Sequence, residues 1–490
     1  MASSPTDAAI ALTRLGLGAR PGEIDRVAPD PRGWPLDQIR PEGAPQPADD
    51  LVPSDRRMTE FLDYQAGRRQ SRQARRDIAP AAAQASDPAR PAPGDAEPAA
   101  MRRSARRDLA QDTAQAFLAR VRLGAATDQG FAERWALFWA NAITVSSVKF
   151  DSGAFIEQYE REAIRPHVFG RFEDLAVAAE QHPAMLFYLD QTRSAGPDSM
   201  AGARRNGGLN ENLAREMLEL HTVGADAGYT QADVTELARA LTGWSVPRAQ
   251  DRPTPNPARR ARQAARQVQP GVNGFVFRAD IHEPGARTVM GRTYAETGEI
   301  QGETILRDLA RHPATAKRLS RRIAAHFTSD TPPEPLVARL EQAWTRSDGD
   351  LAQVARALIE APETWSAQPA KFKTPYDFVV STHRALGAPP QTIQPLRQAL
   401  VAMGQPPFAP PSPEGWPDTA ADWAGPDALV KRLNWARTVA ETARIADVNA
   451  AAASALGDRM TDRTRLAVAR AESRPEALTL LLMSPEFQRR

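Results

Sequence analysis

Carboxylates, amides and one imidazole crowd into residues 207–224, Gly-Gly-Leu-Asn-Glu-Asn-Leu-Ala-Arg-Glu-Met-Leu-Glu-Leu-His-Thr-Val-Gly. Glu216, Glu219 and His221 are residue types that ligate metals or move protons, and Asn210, Asn212 and Arg215 add groups able to orient a substrate. Asn210 is placed to cap a helix, Glu211 sits in its first turn, and Gly224 ends it. On a regular helix of 100° per residue, His221 falls within the apolar arc of Leu213, Ala214, Met217 and Leu220, while Asn212, Glu216 and Glu219 fall opposite. His221 then reads as a hydrogen-bonded core histidine. That geometry argues against a Glu/Glu/His centre on this one helix, and the spacing is not the His-Glu-x-x-His of zinc proteases. Glu216 and Glu219 remain a candidate carboxylate pair. They suit proton transfer, a basic substrate or a divalent cation, and oxygen ligands favour Mg, Ca or Mn over Zn. The plainer reading is a charged face laced by Glu211–Arg215–Glu219 pairs at i,i+4 spacing.

Three further positions join the candidate list. Asp190 closes Leu186-Phe-Tyr-Leu-Asp190 and leads through a Gly/Ser-rich loop into the motif. His282 follows Asp280 by two residues, which on a strand is one face. His182 and His312 each precede proline at a helix junction and read as structural. The candidate site is therefore Asp190, Asn210, Asn212, Arg215, Glu216, Glu219 and His282. No Gly-rich phosphate loop, Gly-x-Ser-x-Gly elbow or dinucleotide fingerprint occurs. The absence of cysteine excludes thiolate zinc sites, iron–sulfur clusters, disulfides and cysteine nucleophiles.

The elements that must position these residues are helices. Phe131, Trp135, Phe138, Trp139 and Ala142 recur at helical spacing and predict a buried aromatic face. Later periodic segments predict helices over 301–311, 314–327, 335–346, 351–360, 375–386, 393–403, 427–446 and 475–483. A junction recurs in which an apolar helix stops before an X-Pro step, at His182-Pro183, His312-Pro313, Ala361-Pro362 and Ser484-Pro485. One stretch reads as strand, Phe275 to His282, turning through Pro284-Gly285 towards Thr288–Met290 as a small hairpin. The Pro-rich stretch from Gly404 to Trp416 is expected to cover a surface or a pocket mouth.

Net charge is +2, but residues 66–107 carry ten Arg against four acids. Residues 248–266 carry six Arg against one acid. Both segments lack an apolar rhythm and read as disordered basic insertions, 66–107 and 248–270, in one helical domain spanning 1–490. No aromatic residues interleave with these arginines, which argues against nucleic acid as a partner. No run approaches the roughly 18 apolar residues of a transmembrane helix, and no signal peptide stands at the start, so the expected compartment is the cytoplasm. The fold class expected is mainly α: a large multi-helix domain with one small β-hairpin and disordered insertions.

The chain resembles the bacterial domain-of-unknown-function 1800 family. The resemblance is carried by Ala11–Gly18, His182-Pro-Ala-Met-Leu-Phe-Tyr-Leu-Asp190, Gly208–Thr222, Tyr229–Val234, Leu241-Thr-Gly-Trp244, Phe275-x-Phe277 with His282, His312-Pro-Ala-Thr-Ala316 and Ser484–Phe487. It implies no established activity and transfers no catalytic residues. It does imply frequent export, so the periplasm is the alternative compartment. It also implies genes lying beside a sulfatase-like companion family. Two functions follow as expectations: an accessory or binding protein working with a sulfatase-like partner, or an enzyme, such as a metal-dependent hydrolase, with its polar site on the Asn210–His221 helix.

Overall fold

A computed structural model describes residues 5–47, 52–82, 96–202, 208–252, 254–264 and 266–490. The chain is mainly α-helical, and one hydrophobic core runs from Ala8 to Phe487. At its centre lies the helix Gly130–Ala142, whose Phe131, Trp135, Phe138, Trp139 and Ala142 are all buried, as their spacing predicts. Trp135 stacks on Phe169 with rings 2° from parallel and donates its indole N–H to the Val168 carbonyl at 2.7 Å. The same helix buries a charge. Glu133 takes both ends of the Arg165 guanidinium at 2.7 and 2.9 Å, and Glu160 accepts from it as well.

The later helices follow their apolar periodicity closely: Glu299–Arg311, Pro313–Phe327, Glu334–Ser347, Leu351–Glu360, Pro375–Ala385, Ile393–Ala402, Pro426–Thr442 and Arg474–Leu482. The helix Pro313–Phe327 packs on Glu334–Ser347, which packs on Leu351–Glu360. The recurring proline junctions share a capping device. Nδ1 of His182 accepts from the Ala184 N–H, and Nδ1 of His312 accepts from the Ala314 N–H, each at 3.2 Å. Ser484 does the same for the Phe487 N–H at 3.2 Å. Proline at the first helical position lacks the donor that a cap would otherwise have to satisfy.

The strands differ from the sequence expectation. The strand β1 (Trp244–Ser245), β2 (Val268–Pro270) and β3 (Val276–Arg278) form one antiparallel sheet in the order β1-β3-β2. β4 (Arg287–Val289) pairs instead with β5 (Arg292–Tyr294). The hairpin therefore exists, but it turns at Met290-Gly291 rather than Pro284-Gly285. Both turn residues have positive φ, 47° and 78°, the twist a two-residue hairpin loop requires. A 3₁₀ turn at Ala279–Ile281 ends β3 before it can reach His282.

The basic segments are described in part. Helices Ser54–Ala82 and Ala96–Ala126 pack on each other and run into the first segment from either side; residues 83–95 lie outside the described residues. The second segment contributes the helix Pro257–Ala264 and the strand β2, with residues 253 and 265 outside the described residues. Alanine and arginine favour helix without any apolar face, which is why periodicity does not reveal these turns. Arg252 ties the second segment to the helix Ser54–Ala82, pairing with Asp63 at 2.7 Å and donating to the Thr59 carbonyl at 3.0 Å.

Candidate functional site

The motif helix begins at Asn212–Glu216 and continues as a π-helical turn, Met217–His221. Its hydrogen bonds reach five residues or more, Thr222 N–H to Met217 O at 2.9 Å and Gly224 N–H to Leu218 O at 2.8 Å. Single π turns are often found at functional sites. This turn invalidates a uniform 100° step beyond Glu216. His221 is buried as the apolar arc requires, with Nδ1 2.5 Å from Glu180 Oε1, both side chains fully enclosed. The wider turn also brings His221 into electrostatic range of Glu216, which the regular-helix reading did not foresee. Burial raises the Glu216 carboxyl above its ordinary range; His221 opposes that shift, and the Glu219 and Glu180 charges add to it.

The other motif residues serve the helix itself. Asn210 donates through Nδ2 to the carbonyls of Leu189 and Asp190 at 3.1 and 3.0 Å, and its Oδ1 accepts from the Asn212 N–H at 2.9 Å. It clamps the start of the helix to the preceding segment, whereas Asn212 is exposed. Arg215 lies between Glu211 at 3.2 Å and Glu219 at 3.6 Å, the expected i,i+4 ladder. Asp190 adopts a left-handed conformation, φ 57°, and binds Lys149 Nζ at 2.6 Å. His282 stands apart, its Nδ1 hydrogen-bonded to the Thr242 carbonyl at 2.7 Å. It does not share a strand face with Asp280, because Asp280 lies in the 3₁₀ turn.

The structure thus brings Asp190 to Asn210, and Arg215 to Glu219, with Glu216 close by. His282 is not among them. Among the described residues no three His, Asp or Glu side chains gather as a metal-ligand set.

A different set of polar groups converges in a cavity of about 110 Å³. Its walls come from the helices Ala96–Ala126, Gly130–Ala142, Pro313–Phe327 and Pro375–Ala385, and from residues 405–418. None of the seven candidates from the sequence lines it. The Pro-rich stretch does, through Gln405, Pro406, Phe408, Pro410 and Trp416. His326, in the last turn of its helix, hydrogen-bonds through Nδ1 to Asp418 Oδ2 at 2.8 Å. Burial, with Arg490 and Arg134 nearby, lowers the imidazole to about 4 despite the Asp418 carboxylate. Asp418 itself is held below its ordinary value: burial would raise it, but His326, Lys371 and Arg490 outweigh that.

At neutral pH the imidazole is therefore uncharged, and its proton lies on Nδ1, donated to the carboxylate. Nε2 is left as an acceptor, buried and without a hydrogen-bond partner among the described residues. The Tyr376 ring lines the cavity, but its hydroxyl, also buried and unpaired among the described residues, lies by Gly124, which does not line it. Asp418 Oδ1 makes no hydrogen bond, with Arg490 standing 3.5 Å away. The remaining charges on the wall are paired, Arg134 with Asp377 at 3.4 Å and Arg120 with Glu160 at 3.2 Å.

Sequence reasoning missed this site because its two key residues are 92 positions apart and sit in no local pattern. The signal present was the Pro-rich stretch from Gly404 to Trp416, expected to cover a surface or a pocket mouth.

The family described as "Protein of unknown function (DUF1800)" matches residues 10–489, and the chain belongs to it. No curated protein and no solved structure matches the chain. Among the described residues no helix is long and apolar enough to cross a membrane.

Proposed function

We propose that this member of the DUF1800 family is a binding protein whose cavity takes a small hydroxyl-bearing ligand. The observation that carries the reading is an unpaired buried acceptor, His326 Nε2, on a cavity wall otherwise made of paired charges and apolar rings. Leaving such a group unpaired costs about 1–3 kcal/mol, so a ligand that satisfies it is favoured. His326 Nε2 accepts, and a ligand hydroxyl donates to it. The paired charges on the wall leave no free ion to select a charged head, and Phe117, Tyr376 and Trp416 supply apolar contact for its carbons. In this reading the chain acts as the accessory protein, holding its ligand for the sulfatase-like companion that the resemblance implies.

Calorimetry with 1,2-propanediol tests it. The wild-type chain is expected to bind the diol, and His326→Phe, which keeps a flat ring without the acceptor, is expected to abolish the heat. No binding by the wild type contradicts the reading.

A second reading, an enzyme, is favoured by one observation. Glu216 is half-buried, its carboxyl is raised by burial, and it lies near enough to Tyr188 to help hold that phenol up at about 12. A carboxyl raised in this way suits proton donation. Elemental analysis of the wild type beside Glu216→Gln and Glu219→Gln tests its metal-dependent form. A stoichiometric divalent metal lost in either folded variant supports it, and metal-free wild type contradicts it.

A further inference from the structure

Outside the cavity lies a larger open groove of about 470 Å³, and the two share Pro406 and Phe408 in their walls. The groove is apolar along its length, with Leu109, Val148, Phe150, Ile393, Val401 and Pro407 as its principal surfaces. Val148 is 73 % exposed and Val401 50 % exposed, unusual for branched aliphatic residues facing one depression. At its margin stand the exposed Arg106 and Arg397. Phe408 is the partition. Its φ of 51° puts a bulky residue in the left-handed region, a conformation that tends to occur at ligand clamps. Its carbonyl accepts from the Ser147 N–H at 2.8 Å, and its ring meets Phe117 edge-on at 5.0 Å.

We propose that groove and cavity form one two-chamber site for a hydroxylated aliphatic acid, with Phe408 as the gate between them. The hydroxyl enters the cavity and bonds His326 Nε2. The methylene chain lies in the groove. The carboxylate remains at the rim beside Arg106 and Arg397, whose charge complements it. This deepens the binding reading above and rests on it.

The experiment is calorimetry with 12-hydroxydodecanoate, 1-dodecanol and 1,2-propanediol on the full chain. Each buried methylene strengthens binding about fourfold, so 12-hydroxydodecanoate is expected to bind at least roughly a hundredfold tighter than the diol. Val401→Asp, a change at an exposed position that leaves the core intact, is expected to remove that advantage while diol binding persists. Arg106→Ala with Arg397→Ala is expected to weaken 12-hydroxydodecanoate and leave 1-dodecanol unchanged. If the diol binds and the long chain binds no tighter, the two-chamber proposal is overturned and the cavity reading stands. If neither binds, both fall. If the long chain binds with the same affinity in wild type and His326→Phe, the groove acts without the cavity, and the proposal is again overturned.

Discussion

At the scale of single residues, the account turns on His326. Its folded value near 4 lies below the ordinary 6.5 of an unfolded histidine. Between those values the unfolded chain binds the extra proton and the folded chain does not. Stability from this group is therefore fully present above pH 6.5 and declines as pH falls towards 4, by on the order of 3 kcal/mol. Asp377 acts in the same acid-labile sense. Burial would raise it, but Arg134 and Arg490 hold it well below the ordinary carboxylate range, so its contribution is lost as pH falls below about 4. Urea unfolding at a series of pH values should show a shallower loss between pH 6.5 and 4 in His326→Gln than in the wild type. Equal slopes would contradict the assignment. The Arg165 cluster gives a second residue-scale test. Arg165→Met leaves Glu133 and Glu160 as buried acids without their shared cation, and should cost about 3–5 kcal/mol in the same measurement. Neither residue was legible beforehand. Ion pairs across 32 or 92 positions leave no mark in local spacing.

Elements were far more legible. The aromatic face of Gly130–Ala142 and the helices after Gly298 could be read because a buried stripe repeats every three to four residues. The histidine–proline junctions were legible as structural, and their mechanism is capping. His312→Ala should lower stability by about 1 kcal/mol, and His312→Ser, a better cap, should restore it. An alanine variant as stable as the wild type would remove the capping role. Besides the helices of the basic segments and the short strands β1 and β2, a turn and a helix irregularity escaped. The hairpin turns at Met-Gly, a pair without the usual Asn-Gly signature, so its partner strand was misassigned. The π turn at Met217–His221, whose His221 meets the buried Glu180, defeats any fixed angular step.

Across the whole molecule, buried arginines from near both ends of the sequence tie distant segments together. Arg14 donates to the carbonyls of Thr364, Ser366 and Gln368, at 2.6, 2.7 and 2.7 Å. Arg490 lies fully buried 3.4 Å from Asp377 and 3.5 Å from Asp418, and its backbone pairs with Lys371. The cavity is thus an assembly of distant parts, whereas the motif that dominates the sequence is chiefly a self-satisfied helix with one raised carboxyl. Arg490→Ala is accordingly predicted to destabilise the fold by about 3 kcal/mol, read by thermal unfolding, and to weaken ligand binding with it. The most direct test of the central claim is the Nε2 resonance of His326 in histidine labelled with ¹⁵N. An unprotonated Nε2 at neutral pH that shifts saturably as 1,2-propanediol is added is the expected result. A resonance already protonated, or unmoved by the diol, would contradict it.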